Sequence, residues 1–257
     1  MSKWSNADAC RPSHGPQTFQ QQPPPSAVSR WLLWLTSSAL VLGAAFLFDG
    51  RVDAAAQVPT LGKLRTFARV LTVAGEWWSV GIVGLVSGLF FYFQGRFKTA
   101  RAVLLVTLTG VATGLAAMFL RHIFGRKRPN AAVPQGFYGL WYHSHRIAGR
   151  YQFSSFVSGH AALVVGLATA AWRVNRRAGV WMGLFAVMVS WSRMAQSSHH
   201  FSDVIGATLL ALWLAPQLQQ RFREALRPRF RALEKSRLSY WRARPPRCRP
   251  AAAQFFM

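Results

Sequence analysis

Acidic side chains are scarce in this sequence: 7 Asp and Glu stand against 31 Lys and Arg in 257 residues, a formal net charge of +24. With so few carboxylates, the place of each one is informative. Asp203 sits in a cluster described below and Glu76 precedes Trp77-Trp78 at the mouth of an apolar run, whereas Glu224 and Glu234 fall in a basic tail. Cysteine is scarcer still. Cys10 and Cys248 lie in the two terminal tails, which offers neither a disulfide framework nor metal-ligand spacing. Long polar stretches are also missing from the middle of the chain, which is 51% hydrophobic overall, with 19 Phe and 11 Trp. So basic a balance would suit nucleic acid, but the apolar runs leave little room for a soluble binding domain. Much of the excess charge follows residue 218, where an anionic membrane surface is the simpler partner. No nucleic-acid partner is expected.

What is present is a series of apolar runs long enough to cross a bilayer. After a Pro-, Gln- and Ser-rich leader (residues 1–30), disordered by composition, spans are predicted at about Trp31–Phe48, Trp77–Phe93, Ala102–Leu120, Phe156–Trp172, Val180–Trp191 and Asp203–Leu218. Between the first two, Leu61, Leu64, Ala68 and Leu71 fall at helical spacing among Lys63, Arg65 and Arg69, which predicts a helix lying at the membrane surface. The expected fold is all-α: a polytopic six-transmembrane-helix bundle over residues 31–218, with an interfacial helix in the first outer loop and a basic tail over 219–257. In that tail Phe222, Leu226, Phe230 and Leu233 recur at roughly helical spacing, predicting a surface helix interrupted near Pro228 and resting on anionic lipids.

Loop charge sets the orientation. Arg96, Lys98 and Arg101 after the second span, Arg173, Arg176 and Arg177 after the fourth, and the basic tail place both termini in the cytoplasm. The third connection disobeys: Arg121, Arg126, Lys127, Arg128, Arg146 and Arg150 fall on the outer side. An anionic ligand on that face would supply a reason.

Three clusters point to such a ligand. Arg121-x6-Arg128-Pro129 closes the third span; seven residues are two helical turns, so both guanidinium groups are predicted to share a face, with Pro129 ending the helix. Two planar donor forks suit phosphate oxygens, although arginines at span ends also snorkel for ordinary reasons. Ser158-Gly159-His160 opens the fourth span, where unpaired N–H groups and the macrodipole favour an anion; Ser158 can cap, Gly159 admits close approach, and His160 can give a proton to a leaving oxygen. The third cluster is Ser192-Arg193-x5-His199-x3-Asp203. Histidine and aspartate at i and i+4 share a helix face, so Asp203 can fix the His199 tautomer and leave the other ring nitrogen as a nucleophile. His200 would point elsewhere on that helix. His122, His143, His145 and His200 lack metal-ligand spacing and a carboxylate, so neither metal nor cofactor is expected.

In this order the clusters resemble the type 2 phosphatidate phosphatase family, whose pattern is Lys-x6-Arg-Pro, Pro-Ser-Gly-His and Ser-Arg-x5-His-x3-Asp. Arg121 stands where that family usually has lysine, and Val157 where it usually has proline. The resemblance implies a metal-independent lipid phosphatase of the bacterial inner membrane with a periplasmic site. His199 would form a phosphohistidine, oriented by Asp203. His160 would act as acid and then base, and Arg121, Arg128, Arg193, Ser158 and the Gly159 amide would cradle the phosphoryl oxygens. Implied substrates are undecaprenyl pyrophosphate, phosphatidate, phosphatidylglycerophosphate or the phosphates of lipid A. Two alternatives use the same residues differently: a lipid phosphotransferase acting through the same phosphohistidine, and a non-catalytic lipid-binding membrane protein.

Overall fold

The computed structural model describes residues 27–57 and 62–243. The polar leader as far as residue 26, with Cys10, then Leu61, and residues 244–257, with Cys248, lie outside them. Two compact units divide at Ser37, within the first helix, α1 (Ala27–Ala56). In the first unit, the Thr36 and Ser37 hydroxyls donate to the carbonyls of Leu32 and Leu33, four residues back, which satisfies them inside an apolar helix.

The second unit begins with the rest of α1 and continues through α2 (Lys63–Ala74), α3 (Trp77–Phe93), α4 (Phe97–Phe124), α5 (Gly159–Val174), α6 (Arg176–Ala195) and α7 (Phe201–Ala243). Between α4 and α5 a long connection carries a two-residue antiparallel ladder, β1 (Trp141–Tyr142) with β2 (His145–Arg146), and a 3-10 turn at Tyr151–Phe153. Among the described residues four helices are long and apolar enough to cross a membrane: α1 from Trp31, α4, α6, and α7 as far as Leu233. Helices α2 and α3, bent by 60° at a short break, make a fifth when taken together. The sequence counted six. The difference lies in α5, whose 16 residues reach about 24 Å, short of the ~30 Å hydrocarbon core.

Packing follows membrane rules. Outward faces of α1, α3 and α6 expose Leu40, Leu47, Val83, Phe93, Trp181 and Val187, as helices facing lipid do. Inward faces are built from small residues, which let backbones approach closely. Helix α5 is the hub, with Ala161, Ala162, Val164 and Ala170 buried, and a side chain at Gly114 of α4 would collide with Leu163. Around its start, Ala117, Phe156, Val157, Val204 and Ala207 form one cluster, against which Leu42 and Phe46 of α1 pack.

Two predicted features differ. Helix α4 ends at Phe124, five residues before Pro129. Gly125 takes a left-handed conformation (φ 59) and donates back to Arg121 O, and a Cβ there would strike the Gly139 carbonyl. Helix α7 is not interrupted near Pro228: it runs through Pro216 and Pro228 to Ala243, so the domain edge drawn at residue 218 falls inside a helix. Phe222, Leu226 and Phe230 are half-buried along one face of it, with Arg221, Arg223, Arg227 and Arg229 exposed between them.

Candidate active site

One end of the bundle gathers the C-termini of α4 and α6 with the N-termini of α3, α5 and α7. Chain direction alone therefore brings the three clusters to the same end. Ser158 is the N-cap of α5: its hydroxyl accepts from Ala161 N–H at 3.5 Å, and its own N–H donates to Asp203 O at 3.3 Å, joining the start of α5 to α7. Gly159 has no side chain in the direction of Arg121; a Cβ there would lie 3.9 Å from Arg121 Nη1. The guanidinium thus lies beside the positive end of α5, which concentrates positive charge on one spot.

Arg193, in the last turn of α6, is buried, and Nη1 donates to Thr72 Oγ1 of α2 at 3.4 Å. Thr72 also meets Ser192 Oγ at 3.0 Å and accepts from Gln196 Nε2 at 2.7 Å, so α2 braces the end of α6. Arg128 does not share a helix face with Arg121. It lies past the end of α4 in the long connection, where Nε donates to Tyr151 O, Nη1 to Ser198 O and Nη2 to Ser154 O, with the guanidinium 3.9 Å from the Tyr151 ring centroid. Burial lowers its pKa while the phenol stacked on it pulls the other way. The arrangement makes Arg128 both a charge and a tie between the connection and the segment carrying His199.

His199 is buried in the short connection between α6 and α7. Its Nδ1 lies 2.9 Å from the Ser155 carbonyl and 3.6 Å from Asp203 Oδ2. A carbonyl can only accept, so Nδ1 carries the proton and Nε2 keeps a lone pair. The predicted carboxylate orienter is therefore the longer of two contacts: the Ser155 carbonyl sets the tautomer, and Asp203 adds charge behind it. Burial pulls the His199 pKa down to about 3, with Asp203 opposing and Arg128 and Arg193 adding to the fall, so the ring is uncharged at neutral pH.

Asp203 is itself held on every side. Oδ1 accepts from Arg126 Nη1 at 2.6 Å; Oδ2 accepts from the His200 N–H at 2.7 Å and from the Ser155 hydroxyl. Arg126, read from the sequence only as loop charge, is buried and bridges Asp203 to Asp49 of α1 (2.7 Å). Asp49 also accepts from Ser202 N–H and Asp53 from Phe201 N–H, so α1 caps α7 with two carboxylates one helical turn apart. His200 does point away from the site, as its position implied: Nδ1 meets Asp53 Oδ2 at 2.6 Å. Asp49, Asp53, Arg126 and Ser155 escaped the sequence reading. The one available signal was Gly125, a residue type that stops helices and would have placed Arg126 and Arg128 in the connection.

His160, at the start of α5, is largely buried, and Nε2 lies 3.0 Å from Glu76 Oε1 at the break between α2 and α3. Arg193 is within electrostatic reach of both imidazoles and of Arg121 and Arg128. Four buried nitrogens of this group have no aligned hydrogen-bond partner: Arg121 Nε, Arg193 Nε, His160 Nε2 and His199 Nε2. Buried polar atoms are nearly always paired; His160 Nε2 has the Glu76 contact, and the other three, orphans around one helix start, describe a site with polar capacity to spare. Among the described residues no three His, Cys, Asp or Glu side chains gather so as to hold a metal ion.

A membrane-type helical bundle with clustered arginines and two imidazoles at one end defines the class. Residues 98–225 match the PAP2 superfamily model, and the chain belongs to that superfamily through this segment, which holds all three clusters. Among solved structures it is similar to the "first transmembrane PAP2 type phosphatidylglycerolphosphate phosphatase from Bacillus subtilis", at 21% identity, over 77% of this chain and 96% of that one, with a TM-score of 0.54. That likeness is one of fold. A search of curated proteins gave no match. Helix α1, with Asp49 and Asp53, and Glu76 lie before the segment matched to the superfamily.

Proposed function

We propose that the protein is an integral membrane lipid phosphatase working through a phosphohistidine. The observation carrying this reading is the set of three unpartnered buried nitrogens, Arg121 Nε, Arg193 Nε and the Nε2 lone pair of an uncharged His199. His199 Nε2 attacks phosphorus: the P–N bond forms as the bond to the leaving oxygen breaks, and His160 gives that oxygen its proton. Neutral His160 then takes a proton from water, the resulting hydroxide attacks, the P–N bond breaks, and phosphate leaves. Arg121, Arg128, Arg193, the Ser158 hydroxyl and the Gly159 amide neutralise charge spreading over the equatorial oxygens. Asp203 stabilises the positive charge that His199 acquires on attack.

Loop charge supports both termini in the cytoplasm and the site at the outer boundary of a bacterial inner membrane, a topology that needs the short α5 to count as a sixth crossing beside the five apolar spans. The anionic partner of the basic face of α7 is the inner leaflet. Phosphate release from a panel of purified phospholipids and lipid pyrophosphates tests the activity. His199→Ala and His160→Ala are each expected to lower turnover at least about 100-fold while inserting into membranes normally. Parental rates from His199→Ala on every hydrolysed lipid would remove the phosphohistidine.

A further inference from the structure

Glu76 has no part in the mechanism above, yet it reaches the site from a break in the backbone. Its carboxylate meets His160 Nε2 at 3.0 Å, off the line of a hydrogen bond, so the imidazole nitrogen can turn toward another acceptor. The break that puts it there is specific: α2 is capped at its C-terminus by Gly75, where a Cβ would fall 2.6 Å from Val189 Cγ1, and the chain then turns by 60° into α3. Three charged groups face this imidazole, namely Glu76 from the break, Arg193 from α6 and Arg121 from α4. Burial disfavours a proton on His160 most, the two arginines add to that, and the carboxylate is the group that favours one.

Resting on the phosphatase reading, we infer that Glu76 is a positioning residue for His160: it holds the imidazole's proton ready for a departing alkoxide and fits the site to phosphate monoesters of aliphatic alcohols rather than to pyrophosphates. Two consequences of the geometry lead there. An aliphatic alkoxide is a poor leaving group and must receive a proton as its bond to phosphorus breaks, leaving as the neutral alcohol; a second carboxylate beside the acid serves that step. A pyrophosphate instead releases a phosphate monoester, already anionic and able to leave unprotonated. Next to His160 that group would lie within a few ångströms of the Glu76 carboxylate, where like charges repel.

The test compares parent, Glu76→Gln and Glu76→Asp, as full chains in detergent, on three substrates: dioleoyl phosphatidate, p-nitrophenyl phosphate and farnesyl pyrophosphate. For Glu76→Gln, kcat on phosphatidate is expected to fall about 10- to 100-fold with KM little changed. The alkaline limb of its pH profile should move to lower pH. On p-nitrophenyl phosphate, whose leaving group needs no proton, the loss should be small, and activity on farnesyl pyrophosphate relative to phosphatidate should rise. Glu76→Asp should recover part of the phosphatidate rate. Equal losses on all three substrates would make Glu76 structural and overturn the inference, as would an unchanged Glu76→Gln or a parent that prefers the pyrophosphate. If the parent and Glu76→Gln are alike while His199→Ala is inactive, the inference fails alone. A parent that releases no phosphate from either lipid removes the phosphatase reading and this one with it.

Discussion

An imidazole that must stay uncharged inside a protein makes folding sensitive to acid. His199 is held with a pKa of about 3 against an ordinary value of 6.5, so below pH 6.5 the unfolded chain binds a proton that the folded chain refuses. Stability rises with pH wherever the unfolded state holds more protons, so here it is lost as pH falls from about 6.5 toward 3. Between pH 7 and pH 5 the loss from this one group is about 2 kcal/mol. His199→Gln keeps a donor for the Ser155 carbonyl and cannot be charged. Denaturant unfolding in detergent should therefore show the parent losing about 2 kcal/mol more than His199→Gln over that interval. Equal acid sensitivity in the two proteins would mean that the ring is not buried as an uncharged group.

At the scale of elements, the link between α1 and α7 matters most. Arg126 holds Asp49 and Asp203 at 2.7 and 2.6 Å with little exposure on any of the three. Removing one partner of a buried ion pair strands the other charges, which costs about 3–5 kcal/mol. Arg126→Met should thus lower stability by about that amount and depress turnover by loosening Asp203 behind His199. Asp49→Asn should cost less, because Asp203 still neutralises Arg126. Thermal unfolding and phosphate release, measured on the same preparations, check both. A turnover unchanged in Arg126→Met would show that Asp203 needs no such hold. This link also marks the limit of the sequence reading. The motif residues were legible because residue type and spacing within Arg121–Asp203 carry phosphate chemistry by themselves. Arg126 was not, since its partners stand 77 positions away on either side, and in a run such as Arg126-Lys127-Arg128 nothing local says which side chains turn inward. The tautomer of His199 was assigned to Asp203 for a similar reason: helical spacing anticipates a side chain at i+4, but not a carbonyl 44 residues earlier. Continuity of α7 through two prolines was hidden because a proline costs a helix only locally, and packing of its earlier turns against α5 and α4 outweighs that.

Over the whole molecule, three of the six basic residues of the third connection find a use, while Arg146 and Arg150 remain exposed. Of its arginines, Arg126 is neutralised by two carboxylates, Arg128 is wrapped by three carbonyls and an aromatic ring, and Arg121 points into the site. Charges committed to protein and ligand are poor retention signals, so the proposed topology rests on the remaining loops, whose charge favours both tails on the inner side. The sequence supplies its own probes, because its two cysteines, Cys10 and Cys248, stand one in each tail. A membrane-impermeant maleimide added to sealed right-side-out vesicles should leave both unlabelled, and inverted vesicles should label both. The face opposite in the proposed topology is probed at Trp141, exposed in β1 at the end of the ladder away from the turn. With both native cysteines replaced by serine, Trp141→Cys should react only in right-side-out vesicles. Labelling of a tail and of Trp141→Cys from the same side would break the alternation on which the outer placement of the site depends. A site opening inward would then have to draw its substrate from the inner leaflet.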